Sequence, residues 1–187
     1  MTAGSGLGAV MRLITVGHGT ATREEFARLL DEAGVSSVVD VRSAPGSRRA
    51  PDFNHSELRN WLPEAGVDYR WEKRLGGFRK LPENSPDVVW ENSSFRAYAA
   101  HMRTEQFRTA IEELLEEAAR VGTAVMCAES VWWRCHRRLI ADHVMLARGV
   151  EAAHLMSDGS LREHSPMGAA RLRADGLLVY DGDWRMP

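Results

Sequence analysis

Five short apolar runs, each separated from the next by a longer stretch, constrain this chain more than any other feature. Leu13-Ile14-Thr15-Val16, Val35 to Val41, Val67 to Trp71, Thr123 to Ala128 and Val150 to Met156 are too short for buried helices and carry the β-branched residues of buried strands. Helical patterns lie between them. Thr22 with Glu25 three residues on is a capping box, followed by the apolar stripe Phe26, Leu29, Leu30, Ala33 and a stop at Gly34. Asn54 with Glu57 opens a second helix carrying Leu58, Trp61 and Leu62, which Pro63 kinks or shortens. Thr104 to Val121 and Arg134 to Arg148 complete the set, each closed by a glycine. Strands that alternate with helices demand a parallel sheet covered on both faces. The expected fold is therefore α/β and three-layered: a mainly parallel five-stranded, Rossmann-like sheet in the order 3-2-1-4-5. Residues 11–187 form one domain, after a small-residue segment over 1–10. A short helix is expected near Ala169 to Arg173, and Gly76 to Ser94 reads as a long loop.

Composition narrows the function. A net charge of −2 excludes wholesale wrapping of a duplex, and 44% hydrophobic content excludes a disordered chain. Basic residues exceed acidic ones from Arg42 to Lys80, while Glu105 to Glu129 is acidic. One basic face on a near-neutral protein suits a small anionic or nucleotide ligand, or nucleic acid. No run approaches a membrane span and the first residues do not read as a signal peptide, so a cytoplasmic location is expected, with the two cysteines as free thiols. Nothing sets an oligomeric state.

Chemistry concentrates between the fourth strand and the following helix. Cys127, Glu129, Arg134, Cys135, His136, Arg137 and Arg138 crowd one turn. In parallel sheets ligands bind beyond the carboxyl ends of the strands. His18, Asp40, Arg42, Cys127 and Glu129 all fall there, so three separate segments should meet in one site.

The motifs Gly17-His18-Gly19, Asp40-Val41-Arg42, Leu75-Gly76-Gly77, Cys127-Ala128-Glu129 and Cys135-His136-Arg137, in that order and spacing, resemble the bacterial domain-of-unknown-function family 488. The resemblance runs from about Leu13 to His164. Gly19 stands where the family's first motif would carry serine. The likeness implies an α/β fold and a shared pocket, and no reaction.

The residues support three functions. The first is an enzyme, a cysteine-dependent hydrolase or transferase acting on a phosphate- or nucleobase-containing substrate, modified or damaged nucleic acid among them. Its candidate catalytic residues are Cys127, Glu129, Cys135, His136, His18 and Asp40; Arg42, Arg48, Gly76, Gly77, Arg134 and Arg137 would bind substrate. Cys127 before a loop, an arginine and a helix is similar to the anion cradle of cysteine phosphatases and sulfurtransferases, although the spacing to Arg134 is longer and the glycines are absent. Cys135 near a helix start among arginines should be an acidic thiol, and Glu129 or Asp40 would orient His136. Asp40 and Arg42 share a strand face; they either reach the pocket together or pair with each other. Arg48 and Arg49 offer a phosphate clamp or a solvated loop. Trp61 belongs to the core, whereas Trp71, Trp90, Trp132 and Trp133 are candidates for base stacking. The second function is a non-catalytic nucleic-acid or nucleotide-binding module. The third is a metal-binding protein: no cofactor is required, but Cys127, Cys135 and His136 are legal zinc ligands, with His18 or His164 to complete the set. Cys135 and His136 can share one ion only if the helix begins after them.

Overall fold

The computed structural model describes residues 11–182. Five of the six strands of the main sheet are β1 (Arg12–Gly17), β2 (Ser37–Asp40), β3 (Asp68–Trp71), β4 (Thr123–Cys127) and β5 (Glu151–Leu155). They run parallel, and β6 (Leu161–Glu163) joins β5 antiparallel. The helices are α1 (Arg23–Glu32), α2 (His55–Glu64), α3 (Ser93–His101), α4 (Glu105–Ala118) and α5 (Arg137–Arg148). None of them is long and apolar enough to cross a membrane.

The strand order is β3-β2-β4-β1-β5-β6, which corrects the expected 3-2-1-4-5. β4, the run TAVMC, is buried at every position and takes the centre between β2 and β1. Local pattern reports that a strand is buried on both faces, but not which neighbours bury it. The adjacency of β1 and β4 survives the change, and with it the expectation that His18 lies beside Cys127.

Right-handed crossovers then place the helices. Chain progress toward the β3 edge sends α1 and α2 to one face, where Phe26, Leu30, Leu58, Trp61 and Leu62 pack on Val16, Val38 and Met126. Progress toward the β6 edge sends α3, α4 and α5 to the other, where Tyr98, Phe107, Ile111, Leu139 and Val144 pack on Leu13, Val39 and Val125. The connections leaving β1 and β4 therefore part in opposite directions. Between them opens the crevice that such sheets use for ligands.

The expected caps form where local chemistry suffices. Thr22 Oγ1 accepts from Glu25 N (3.2 Å) and Glu25 Oε2 accepts from Thr22 N (2.8 Å). Pro63 sits in the last turn of α2 and the helix stops at Glu64. Asn54 precedes α2 but spends its side chain on Ser47 N rather than on the helix.

Three parts of the chain differ from expectation. α3 is an unanticipated helix: Asn92 caps it, and Ala97, Tyr98, Ala99 and His101 are all buried, so no one-sided stripe marks it. The segment near Ala169 to Arg173 is a strand, not a helix: β7 (Ala170–Leu172) pairs antiparallel with β8 (Leu178–Tyr180). β6 is the third. The β7–β8 turn holds Asp175-Gly176 and the β5–β6 turn holds Asp158-Gly159, both with glycine at positive φ, and the Asp-Gly hairpin signal accounts for each. The 1–10 segment lies outside the described residues.

A thiol pair at the parting of two strands

The ladder between β1 and β4 continues past both strands: His18 N donates to Cys127 O (3.0 Å) and Gly19 N to Ala128 O (3.1 Å). This brings the first and fourth βα turns together around a cavity of about 690 Å³. Its wall includes Arg42, Gly77, Cys127, Glu129, Arg134, Cys135 and His136. Residues between Gly19 and His136 thus supply one site from five segments.

α5 begins at Arg137, later than the sequence pattern suggests, because Trp132–Arg134 forms a separate 3-10 turn and Cys135 is extended. The condition for Cys135 and His136 to face one point is therefore met. The Cys127 and Cys135 sulfurs and a His136 ring nitrogen all lie within 4.8 Å of one another. His136 Nε2 lies 3.0 Å from Val41 O, so it carries the proton and donates it there; Nδ1 is left facing Cys135 Sγ at 3.6 Å. Neither Glu129 nor Asp40 orients the ring. The Val41 carbonyl does, and Gly77 seats it: a Cβ on Gly77 would lie 2.7 Å from His136 Nδ1.

The two sulfurs differ in proton affinity. The two sulfurs lie within 4.8 Å of one another, and the neighbouring Cys127 thiol is the largest influence holding the Cys135 thiol well below its ordinary range; His136 and Arg137 add to it, against the opposing effect of burial. Cys135 in turn, with burial, pushes the Cys127 thiol well above the ordinary range. Arg137 Nε donates to Cys135 Sγ at 3.5 Å from beneath. Tyr98 of α3 closes the other side of His136, ring centroids 5.0 Å apart, its hydroxyl committed to Leu75 O.

The remaining candidates separate. Arg42 lines the cavity but is largely occupied: Nε and Nη2 bind both oxygens of Asp40 (2.8 and 2.5 Å), and Nη2 also donates to Phe53 O. Asp40 is fully buried, takes a further hydrogen bond from Tyr69 (2.9 Å), and does not reach the cavity wall. Of the two expectations for this pair, mutual salt bridging is the observed one. His18 stacks on Phe53 (centroids 4.2 Å apart) with Nδ1 on Gly19 O and Nε2 3.4 Å from Arg42 Nη1. Burial, then Arg42, depresses its pKa from 6.5 to about 4, so the ring is neutral. His18 faces a second cavity of about 530 Å³ on the other side of the turn. Glu129 lines the first cavity with one oxygen held by Val131 N. Arg134 is exposed at its rim. Gly76 packs on Ser43 behind the wall. Arg48 lies in a separate shallow depression with Pro45 and His55, away from the thiols.

A soft metal ion would find two sulfurs and a nitrogen here, with the fourth direction open to the cavity. His164 is not available to complete such a set, because both its nitrogens are taken by His154 and Asp142.

Gly19 adopts φ +53°, and a Cβ there would lie 2.1 Å from Ser130 Oγ. The hydroxyl next to this turn comes from Ser130 instead. A family profile described as "Domain of unknown function DUF488" matches residues 22–144, more than half of the chain. The chain belongs to the DUF488 family. The match takes in the motifs at Asp40, Leu75, Cys127 and Cys135, while Gly17-His18-Gly19 precedes it. No curated protein and no solved structure matches the chain.

Sequence reading misses several residues of this site. Phe78, 84% exposed, and Phe95 line the cavity, and they are the aromatic side chains on its wall. The tryptophans expected to stack on a base are engaged elsewhere. Trp132 lies flat on His154 and Trp90 packs on Tyr180 and Phe95. Trp71 donates to Arg42 O, and Trp133 lines the second cavity. Phe78 sits in a stretch without periodicity, which hides it. Thr15, Asp142 and His154 each lie inside an apolar pattern, which hides them as well.

Proposed function

We propose that this DUF488 protein is a cysteine-dependent hydrolase or transferase acting on a phosphate- or nucleobase-bearing substrate, with Cys135 as the nucleophile. One observation carries the reading. Arg137 is 1% exposed, and among the described residues its partners are the Cys135 sulfur, the Thr15 hydroxyl and the Glu129 carbonyl. None is a carboxylate. A buried guanidinium stays charged and needs an anion, and the neighbouring group able to supply one is the Cys135 thiolate.

The roles follow from the contacts. His136 Nδ1 accepts the Cys135 proton while Nε2–H stays on Val41 O, the nucleophile, base and orienter arrangement. The sulfur then bonds to the electrophilic phosphorus or carbon, and the departing group leaves with its electron pair and takes the proton from His136. Water or a second acceptor then gives its proton to His136 Nδ1 and bonds to the phosphorus or carbon, and the sulfur leaves with its electron pair as the thiolate. Arg134 and Arg42 line the cavity and suit the anionic part, while Phe78 and Phe95 suit a flat base. About 690 Å³ is ample for a nucleotide-sized ligand.

The test incubates the protein with panels of nucleotides, phosphate esters and damaged nucleosides, reading turnover and covalent adducts by mass spectrometry. The expected result is an adduct on Cys135 and loss of turnover in Cys135→Ser. Salt-sensitive binding without turnover would replace the proposal with a binding module. One equivalent of zinc in the freshly purified protein, lost in Cys135→Ser, would replace it with a metal centre.

A further inference from the structure

Behind Arg137 lies a chain of buried polar groups that the proposed chemistry leaves unused. Arg137 Nη1 is 3.4 Å from Thr15 Oγ1 in β1. Thr15 Oγ1 is 2.6 Å from His154 Nδ1 in β5, and His154 Nε2 is 2.9 Å from His164 Nδ1, just past β6. His164 Nε2 is 2.7 Å from Asp142 Oδ1 in α5. Asp142 also accepts from Tyr180 Oη (2.8 Å) and Met167 N (3.1 Å). Thr15, His154, His164 and Asp142 are all at most 4% exposed, and Trp132 covers the two imidazoles, flat on one and edge-on to the other.

Hydrogen-bond chemistry allows one direction along this chain while both imidazoles are neutral. A carboxylate only accepts, so His164 Nε2 carries the proton and its Nδ1 accepts from His154 Nε2–H. His154 Nδ1 is then an acceptor and takes the Thr15 hydroxyl proton. Thr15 oxygen is left with lone pairs for Arg137. Burial holds His154 neutral, its pKa down near 3. Every donor points from the arginine toward the carboxylate, so a change at Asp142 reaches Arg137 through three side chains.

We propose that Asp142, His164, His154 and Thr15 form a positioning relay that aims Arg137 at the Cys135 sulfur. The inference rests on Cys135 being the working thiolate. It gives Arg137 two anions, the thiolate in contact and the Asp142 carboxylate at the far end of the relay. The guanidinium is thereby fixed with Nε, rather than a rotatable terminal nitrogen, on the sulfur. The other groups acting on Cys135 are Cys127 from β4, His136 at the start of α5 and Tyr98 from α3, and none of them touches the relay.

Thr15 offers a clean test, because Val replaces it at nearly equal volume and Ser keeps the hydroxyl. The readout is the pH profile of iodoacetamide alkylation at Cys135, followed on its own tryptic peptide, since cleavage after Arg134 separates it from Cys127. Wild type should react with a midpoint well below about 8.5, the ordinary thiol value. Thr15→Val should raise that midpoint by about one unit, an approximately tenfold slower reaction below it, and Thr15→Ser should keep the wild-type profile. Asp142→Asn should move the midpoint the same way and keeps the test alive if Thr15→Val does not fold. A normal wild-type midpoint would sink the thiolate reading itself. An acidic wild-type midpoint that Thr15→Val and Asp142→Asn leave in place, or that Thr15→Ser raises as far as Thr15→Val does, would overturn the relay while the thiolate reading stands.

Discussion

Two buried arginines flank the thiol cavity, and they are held in opposite ways. Arg42 has its carboxylate beside it: Asp40, two residues earlier at the end of β2, binds Nε and Nη2 with its two oxygens and is itself braced by Tyr69. Arg137 is buried more deeply, and among the described residues it has no carboxylate in contact. An arginine neutralised at birth by a neighbour acts as a post. It fixes the β2 end, receives His18 and lines the cavity. An arginine left short of an anion stabilises whichever nearby group can become one. The cavity therefore has a structural side and a reactive side, distinguished by where the compensating charge sits.

The contrast breaks most visibly at Asp40. Asp40→Ala removes the partner of a buried cation and should cost about 3–5 kcal/mol in urea unfolding. A loss below about 1 kcal/mol would show that Arg42 is not held as a post.

Acid should come next. His18 on the Arg42 side is depressed from 6.5 to about 4, and His154 on the Arg137 side to about 3, both chiefly by burial. Below 6.5 the unfolded chain takes up protons that these folded rings refuse, so stability falls as pH drops from about 6.5 toward 4, and for His154 on toward 3. The His18 contribution alone is about 3 kcal/mol at full separation, at roughly 1.4 kcal/mol per unit. Stability flat between pH 7 and 4 would mean that the two rings are not held neutral.

Arg137→Met sharpens the reactive side. It removes the cation and leaves no orphaned carboxylate in contact, so stability should fall less than in Asp40→Ala, while the Cys135 thiol midpoint rises by about two units. Equal stability losses in the two variants, with no change at the thiol, would erase the distinction. Gly77→Ala presses a Cβ against His136 Nδ1. It should cost about 1–3 kcal/mol by overpacking and slow Cys135 alkylation. Tyr69→Phe, which trims one hydrogen bond from Asp40, should cost about 1 kcal/mol and leave the thiol midpoint unchanged.

Legibility in the sequence followed the range of the interactions. The parallel α/β class, the Thr22–Glu25 cap and the crowding of thiols after β4 all come from contacts a few residues apart, and each was readable. So was the meeting of His18 with Cys127, because the expected order sets β1 beside β4 and the structure keeps that pair. β7 and β8 lie in a tail whose single local signal is an Asp-Gly turn, and α3 buries Ala97, Tyr98 and Ala99 in succession, which leaves no stripe. The relay escaped for another reason. His154 sits in an apolar strand and Asp142 in an apolar helix, where each alone looks like an isolated buried polar group. Their meaning depends on one another, across β1, α5, β5 and β6.

Sequence alone settles the five parallel strands and the helices α1, α2, α4 and α5, and it gathers Cys127, Cys135 and His136 onto one turn, because backbone propensity, caps and apolar period act over short spans. Only the tertiary structure decides that β4 lies between β2 and β1, that α5 starts late enough for Cys135 and His136 to converge, and that Arg42 receives a carboxylate while Arg137 receives a sulfur. Strand neighbours and the polar contacts behind Arg137 are set by distances of a few ångströms between segments far apart in the chain, Thr15 and Arg137 being 122 residues apart, and such distances exist only once the sheet has closed.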